Sequence, residues 1–343
     1  MRQLLNTLFV TSEDIYLSLD GENVVASRDR QEVARYPLHT LSTILSFSYS
    51  GASPALMGAC AQRGISLAFH SPRGRFLARV SGEGGGNVLL RRAQYRAADD
   101  PGKSCRIARS MILGKLYNVR WSIERTCRDH GLRVDKERLS AVSERLKGLL
   151  PQVAEETSLD SLRGLEGAGA TAYFGVMDQM ILGDREFFSF QGRNRRPPLD
   201  PVNALLSFAY NLLANDCAAA LEGVGLDSYV GFLHRDRPGR TSLALDLMEE
   251  LRPCMADRFV LTLINNRMVK EEHFAFLESG AVLLNDDGRK LFLKQWQEKK
   301  KVIITHPYLE EKLPWGFVPY LQALLLSRCL REDLDAYPPF LWK

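Results

Sequence analysis

The sequence predicts an α+β protein with two domains, a small β-rich N-terminal domain and a larger, all-helical C-terminal domain. Before residue 80, short β-type runs alternate with turn signals. Residues 82–86 read Gly-Glu-Gly-Gly-Gly, which is typical of a flexible connection. After this segment, apolar residues recur at helical spacing over long stretches. We therefore expect a β-rich domain at residues 1–85, a hinge at 82–86 and a helical domain at 86–343.

The first elements are expected to be strands joined by tight turns. Asp20-Gly21 is a good hairpin turn, because glycine adopts backbone angles that other residues avoid. Ser53-Pro54 is predicted to begin a short helix. The predicted strands are Leu8–Val10, Ile15–Leu19, Val24–Ala26, Val33–Tyr36, Ile65–Phe69 and Phe76–Val80.

The remaining elements are expected to be helices. Asp200 is a suitable N-cap, and Pro201 fits the first helical turn, where its missing N–H costs nothing. Another helix is predicted to carry Glu166 and to run to about residue 182. Further predicted helices cover residues 88–98, 107–130 and 136–149.

Composition limits the class of protein. The chain of 343 residues carries 45 basic and 41 acidic side chains, a net charge of +4, so any contact with DNA must come from local patches. Its six cysteines are widely separated and form no C-x-x-C pair, which indicates reduced thiols and no structural zinc site. No apolar run approaches membrane-spanning length. We expect a cytoplasmic protein without a membrane partner.

The most informative segment is residues 231–253, where a histidine precedes a short acidic helix. His234 is followed by a basic turn, and Thr241 or Ser242 can cap the helix. Pro253 is expected to stop the helix, because proline has no N–H to donate.

Three carboxylates share one edge of this helix. Asp246 lies beside Glu249 at i,i+3 and beside Glu250 at i,i+4. His234 is expected to lie next to these carboxylates. An imidazole and clustered carboxylates are the ligands of a divalent metal site, so the segment is a candidate for one. The competing interpretation is a solvated acidic face next to a structural histidine.

A second candidate is Glu166, which lies among small residues in its predicted helix. Glycine destabilises a helix by up to about 1 kcal/mol relative to alanine, so the three glycines at 164, 167 and 169 indicate a specific structural or functional requirement. Either the small residues allow tight helix packing, or they clear space for a metal ion or a phosphate. Tyr173 lies about two helical turns after Glu166. It either faces the candidate site, where it could contact a DNA end, or packs in the hydrophobic core.

A third candidate is a basic run before Asp200. Arg193, Arg195 and Arg196 are held in an extended path by two prolines, and guanidinium groups bind phosphate in a planar fork. Such a cluster suits a nucleic-acid backbone, and a solubilising basic loop is the alternative. The turn after His234 adds Arg237 and Arg240 to the candidate DNA-binding residues.

Together, these segments closely resemble the CRISPR-associated integrase-nuclease of spacer acquisition, the "Cas one" family. The matching pieces are Leu-Glu-Gly-Ala-Gly-Ala-Thr-Ala-Tyr-Phe around Glu166, the arginine-proline run into Asp-Pro-Val-Asn-Ala-Leu-Leu-Ser-Phe, and Gly-Phe-Leu-His…Ser-Leu-Ala-Leu-Asp-Leu-Met-Glu-Glu. The resemblance covers nearly the whole chain. The Tyr-Pro-Pro-Phe-Leu-Trp tail is similar to members from type I systems, including subtype C.

The resemblance implies that Glu166, His234 and Glu249 bind a divalent metal ion and catalyse the reaction. Asp246 is a further implied ligand or orienting group, and Glu250 is the alternative to Glu249. Mainly oxygen ligands with one imidazole suit Mg²⁺ or Mn²⁺.

The resemblance also implies the activity and the partners. The expected enzyme is a DNA endonuclease and integrase that inserts captured DNA fragments as new spacers into a CRISPR array, by attack of a 3′-hydroxyl on a repeat phosphodiester. The β-rich domain is expected to form a homodimer. Double-stranded DNA and the small protein "Cas two" are the other expected partners.

Two alternatives use the same residues differently. One is a metal-dependent DNA-repair nuclease that cuts without integration. The other is an inert DNA-binding scaffold, in which Glu166 and the carboxylates of residues 246–250 merely pair with arginines.

Overall fold

The structure is a computed structural model that describes residues 6–10, 12–71, 76–80 and 88–343. The glycine-rich segment at 82–86 lies outside these residues, so the hinge stays a prediction. The described residues form two compact units. The first comprises residues up to 80 together with 284–301, and the second comprises residues 88–283 and 302–343.

The first unit contains two small sheets and two helices. Its elements are β1 (Asn6–Val10), β2 (Tyr16–Asp20), β3 (Asn23–Arg28), β4 (Gln31–Pro37), β5 (Leu41–Ser46), α1 (Pro54–Gln62), β6 (Ser66–His70), β7 (Phe76–Val80) and the later helix Asp286–Lys301. One sheet has the order β1-β5-β6-β7, with β6 and β7 antiparallel and the other pairs parallel. The other is the antiparallel meander β2-β3-β4.

Two local predictions for this unit are confirmed. β2 and β3 form a hairpin through Gly21, whose φ of +57° explains the choice of glycine. The Ser53 side chain caps α1 by accepting a hydrogen bond from Leu56 N, with Pro54 in the first turn. Leu17, among others, is fully buried in the core of this unit.

The second unit is mostly helical, as expected. Its helices are α2 (Val88–Asp99), α3 (Pro101–His130), α4 (Lys136–Glu155), α5 (Leu159–Phe174), α6 (Met177–Met180), α7 (Pro201–Gly223), α8 (Ser242–Leu251), α9 (Arg258–Asn265) and α11 (Val318–Leu330). The helix Asp286–Lys301 of the first unit is α10. Two short hairpins complete it, β8 (Phe274–Phe276) with β9 (Val282–Leu284), and β10 (Ile303–Thr305) with β11 (Lys312–Pro314).

Helix α3 is the centre of this unit. It is 30 residues long, begins at the N-cap Asp100 and packs against α4, α5 and α8. Helix α7 begins at the predicted cap Asp200, whose carboxylate accepts a hydrogen bond from Asn203 N. By length and composition α7 could cross a membrane, but 67% of its apolar window is buried within the protein, as expected of a core helix.

Two predicted helix ends were wrong. The helix that carries Glu166 ends at Phe174 and is followed by the short α6, so it does not run to residue 182. The helix predicted over 136–149 continues to Glu155 and includes Pro151.

The expected start of α8 is confirmed, but the expected capping bond and the expected stop were wrong. Thr241 is the N-cap but its side chain makes no capping bond, and Leu243 N and Ala244 N donate instead to the distant Ser228 O. Pro253 does not end the helical path. A wider π-helical turn, Arg252–Asp257, absorbs it and leads into α9.

Candidate functional site

Two of the predicted carboxylates meet at a lysine on α3. Glu166 lies on α5 and Glu249 on α8, and both helices pack against α3. Lys115 Nζ contacts Glu166 Oε1 and lies 2.7 Å from Glu249 Oε2. The lysine side chain is only 6% exposed, so these residues form a buried ion cluster with its open side at Glu166, which is 26% exposed.

The glycines around Glu166 have different roles. A Cβ at Gly169 would lie 2.3 Å from Leu116 Cδ2 of α3, so this glycine is required for helix packing. At Gly164 and Gly167, which flank Glu166, a Cβ would meet nothing within 4 Å. Tight packing is therefore the role of Gly169, and room for a metal ion or a phosphate beside Glu166 stays a prediction.

The surroundings of Glu249 are strongly cationic. Arg252 Nη2 lies 3.0 Å from Glu249 Oε1, on the side opposite Lys115. Burial alone would raise the pKa of Glu249, but the charges of Arg252, Lys115 and His234 outweigh burial and lower the pKa to about 2. Glu249 is therefore a permanent buried anion.

His234 is held by Asp246, which is completely buried. Asp246 Oδ2 accepts hydrogen bonds from Phe232 N (2.6 Å) and Leu233 N (2.9 Å). Asp246 Oδ1 accepts one from His234 N (3.0 Å) and lies 2.5 Å from His234 Nδ1. Because a carboxylate can only accept, Nδ1 carries a proton, and of the two neutral tautomers this contact selects the one whose Nε2 has a lone pair.

This arrangement favours one of the two expected roles of Asp246. Both of its oxygens are occupied by donors, so it acts as the group that orients the histidine. A carboxylate behind an imidazole fixes the tautomer that a metal-ligating histidine requires.

Glu250 faces away from this cluster. Its carboxylate accepts hydrogen bonds from Gln322 Nε2 (2.8 Å), Phe340 N (2.7 Å) and Tyr337 Oη. All three donors are neutral, and burial raises the pKa of Glu250 to about 7 although the hydrogen bonds oppose this. The geometry therefore favours Glu249 over Glu250 as the site carboxylate.

The donor set fits a divalent cation. Two carboxylates that already share one positive charge, together with an imidazole whose Nε2 is free to ligate, are the groups that bind Mg²⁺ or Mn²⁺. Glu249 Oε2 forms an ion pair with the ammonium of Lys115, but the angles at this contact are not those of a hydrogen bond. In the part of the chain that the structure describes, no three His, Cys, Asp or Glu side chains are grouped to hold a metal ion.

A second buried cluster adjoins Arg252. Tyr210 Oη donates to Asp257 Oδ1 at 2.5 Å, and the Tyr210 ring lies between two guanidinium groups, Arg252 at 4.6 Å and Arg193 at 5.2 Å. Burial raises the pKa of Asp257 to about 6 against these partners. Arg193 also donates to Asn203 Oδ1 at 2.6 Å. Arg193 is therefore a structural group in this conformation, which argues against the predicted phosphate contact.

Tyr173 is also directed inward. It is 2% exposed, and its ring packs against Phe174. Its hydroxyl interacts with Asp257. A side chain without accessible surface cannot meet a DNA end, so this burial argues against the DNA contact predicted for Tyr173 and favours core packing.

The other four candidate arginines form one surface patch. Arg195, Arg196 and Arg237 are exposed, and Arg240 is half-buried. Burial lowers the pKa of Arg240, and repulsion from the other three arginines lowers it further. The two loops therefore bring these charges close enough to repel one another.

Several residues of the site were missed from the sequence. Lys115 and Tyr210 lie on other helices and carry no local signal that links them to Glu249. Arg252 is three residues after Glu249, and this i,i+3 spacing could have indicated the ion pair.

Comparisons with known proteins identify the family of this chain. The family model of the CRISPR associated protein Cas1 matches residues 8–298. The CRISPR-associated endonuclease Cas1 2 of Rhodospirillum rubrum is 52% identical over 347 residues, with 100% of both chains covered.

Two solved structures share the fold. A casposase bound to its integration product has a TM-score of 0.84 at 21% identity, covering 99% of this chain and 95% of that one. A Cas6-RT-Cas1–Cas2 complex has a TM-score of 0.81 at 22% identity, covering 99% of this chain and 36% of that one. With the family model and the full-length relative, the comparisons show that the chain belongs to the CRISPR-associated Cas1 family.

Proposed function

We propose that this protein is a DNA endonuclease and integrase, dependent on Mg²⁺ or Mn²⁺, that inserts captured DNA fragments into a CRISPR array. One observation carries the proposal. Glu166 and Glu249, from two different helices, converge on a single cation, Lys115 Nζ. The endonuclease name of the full-length relative supports the same chemistry.

The metal site would be built from Glu166, Glu249 and His234 Nε2. When bound, the divalent ion would polarise the scissile phosphodiester and stabilise the leaving oxygen. Asp246 holds the imidazole in the tautomer with Nε2 unprotonated. Arg252 keeps Glu249 ionised, so that a ligand is available without loss of a proton.

No protein nucleophile is required. In integration, the 3′-oxygen of the captured fragment forms the new P–O bond, while the 3′-oxygen of the repeat strand leaves and takes a proton. In cleavage, water attacks in place of the fragment. The protein therefore has to position two DNA segments at one phosphate.

The arginine patch suits the DNA backbone. Arg195, Arg196, Arg237 and Arg240 concentrate positive charge in a protein whose net charge is only +4. Such contacts fix the register of the duplex without reading bases. Sequence preference would then come from DNA shape and partner proteins.

The partners that we propose are double-stranded DNA, a second copy of this chain and the small protein Cas2. The solved neighbours include a casposase with its integration product and an assembly that contains Cas2, and both share the fold. We place the reaction in the cytoplasm, where the six cysteine thiols would stay reduced.

The experiment is a joining assay with a labelled DNA end, a repeat duplex, the partner protein and Mn²⁺ or Mg²⁺. We expect joined product from the wild type. Glu166→Gln, His234→Asn and Glu249→Gln should each lose joining and keep DNA binding. Asp160→Asn, an exposed change on the same helix as Glu166, is the control and should join normally.

The outcomes separate the alternatives. A wild type that cuts the repeat and never joins would identify a repair-type nuclease. Unchanged turnover in all three site variants would identify a scaffold, whose carboxylates serve only to pair with cations.

A further inference from the structure

The C-terminal segment Tyr337–Trp342 packs against the catalytic helix α8. Tyr337 is 2% exposed and Phe340 is fully buried. Phe340 N donates to Glu250 Oε2 at 2.7 Å, and Tyr337 Oη donates to Glu250 Oε1. The segment therefore bonds to the residue that directly follows Glu249.

Asn118 of α3 joins the same segment to the same residue. Its Nδ2 donates to Glu250 O and to Phe340 O, each at 2.7 Å. Its Oδ1 accepts from Trp342 N at 2.7 Å. Lys115 lies three residues earlier on α3, hence on the same face of that helix.

The C-terminal segment, α3 and α8 are also closely packed around Gly114. A Cβ at Gly114 would lie 2.9 Å from Glu250 Cβ and 3.2 Å from Pro339 Cβ. Phe340 and Trp342 are anchored by Trp315, with ring centroids 5.6 and 5.0 Å away. The position of α8 against α3 is therefore set at Glu250 as well as at the ion cluster.

We propose that residues 337–342 are a positioning element of the active site, which holds α8 so that Glu249 faces Lys115 and Glu166. This inference rests on the proposed function, because it assigns the segment to the same metal site. Without the segment, the buried Glu250 loses two of its three side-chain partners, and an unsatisfied buried carboxylate drives α8 to move or to admit water. Glu249 is the next residue and moves with it.

The test separates positioning from mere stabilisation. A chain that ends at Ala336 is compared with the full chain, with and without a synthetic peptide of residues 336–343. The readouts are Mn²⁺ affinity by titration, kcat and KM for DNA joining, and the melting temperature. We expect kcat to fall by about 10²-fold with little change in KM, Mn²⁺ to bind more weakly, and the peptide to restore both.

A milder variant covers the case in which the shortened chain does not fold. Tyr337→Phe removes one donor to Glu250 and keeps the ring, and it should lower kcat about tenfold and weaken Mn²⁺ binding. Leu341→Ala, in the same segment but 37% exposed, is the matched control and should match the wild type.

Wild-type kcat and Mn²⁺ affinity in Tyr337→Phe, with only a lower melting temperature, would overturn the inference. Failure of the proposed function is a different result. In that case the wild type itself would not process DNA, and the Mn²⁺ affinities of wild type and Tyr337→Phe would still decide whether the segment positions Glu249.

Discussion

Glu249 and Glu250 are consecutive on α8 and both are buried, but they lie in opposite electrical surroundings. Glu249 lies between Lys115 and Arg252, and its pKa falls to about 2. Glu250 accepts hydrogen bonds from neutral donors of α11 and the C-terminal segment, and its pKa rises to about 7. Burial is common to both, so the partners decide the direction of each shift.

The comparison teaches how one helix can serve two purposes. The Glu249 face brings the carboxylate together with the charges of Lys115 and Arg252. The Glu250 face uses hydrogen bonds with fixed direction to hold the helix in place. Helix α3 serves both faces, through Lys115 on one and Asn118 on the other.

The largest expected effect comes from removing the cation between the two carboxylates. Lys115→Met leaves Glu166 and Glu249 facing each other, so the metal-free protein should lose about 3–5 kcal/mol of unfolding free energy. Chemical unfolding in EDTA measures this loss, and Mn²⁺ should restore part of it by replacing the missing charge. Lys147→Met, at a lysine 60% exposed on α4, is the control. Equal stability of Lys115→Met and wild type in EDTA would contradict the cluster.

The second effect is a difference in pH dependence between the two faces. The folded pKa of Glu250, about 7, lies above its ordinary value of 4.5, so the protonated form favours folding. Stability should therefore fall by about 3 kcal/mol as the pH rises from 4.5 to 7 and stay level above it. The free energies of unfolding of wild type and Glu250→Gln are measured in metal-free buffer between pH 5 and 8. Their difference at each pH gives the contribution of Glu250.

Glu249→Gln provides the matched comparison for the same pH range. Its folded pKa, about 2, lies below the ordinary value, so its contribution is present above pH 4.5 and is lost only as the pH falls towards 2. The difference between wild type and Glu249→Gln should therefore be flat between pH 5 and 8. If the stability difference from wild type had the same pH dependence for Glu249→Gln and Glu250→Gln, the two carboxylates would not lie in different electrostatic surroundings.

A smaller effect is expected at the group that orients His234. Asp246→Asn places an amide N–H₂ where a carboxylate accepts backbone hydrogen bonds, which should cost about 1–3 kcal/mol of stability. The His234 tautomer, followed by ¹⁵N NMR, should become mixed. A single Nδ1-protonated form in the variant would contradict the role of Asp246.

The smallest effect belongs to the exposed ion pairs near the site. Asp160 is 76% exposed and pairs with Arg163 and Arg235. Water and salt screen these charges, so Asp160→Asn should change stability by less than about 1 kcal/mol. Urea unfolding at low and high salt measures it. A loss comparable to that of Lys115→Met would show that burial does not set the scale of these interactions.

Local signals in the sequence were sufficient for the fold class and for several element boundaries. Strand and helix periods separated the β-rich and helical parts, and the caps at Ser53 and Asp200 were correct because capping depends on residues within one turn. The end of α5 and the path through Pro253 were wrong. In both places, packing of neighbouring helices overrides local preference.

The sequence by itself singled out Glu166, His234 and the acidic edge of α8 as the candidate site residues, because they lie in recognisable local patterns. Only the tertiary structure decided which carboxylates of α8 meet cations and which accept hydrogen bonds from neutral donors. Glu249 and Glu250 are one residue apart, so a helix presents them in different directions, and the neighbour on each side decides which carboxylate meets cations. Those neighbours are Lys115, more than 130 residues earlier, and Tyr337, 87 residues after Glu250. No local spacing can encode contacts over that separation, since they exist only once the helices have packed.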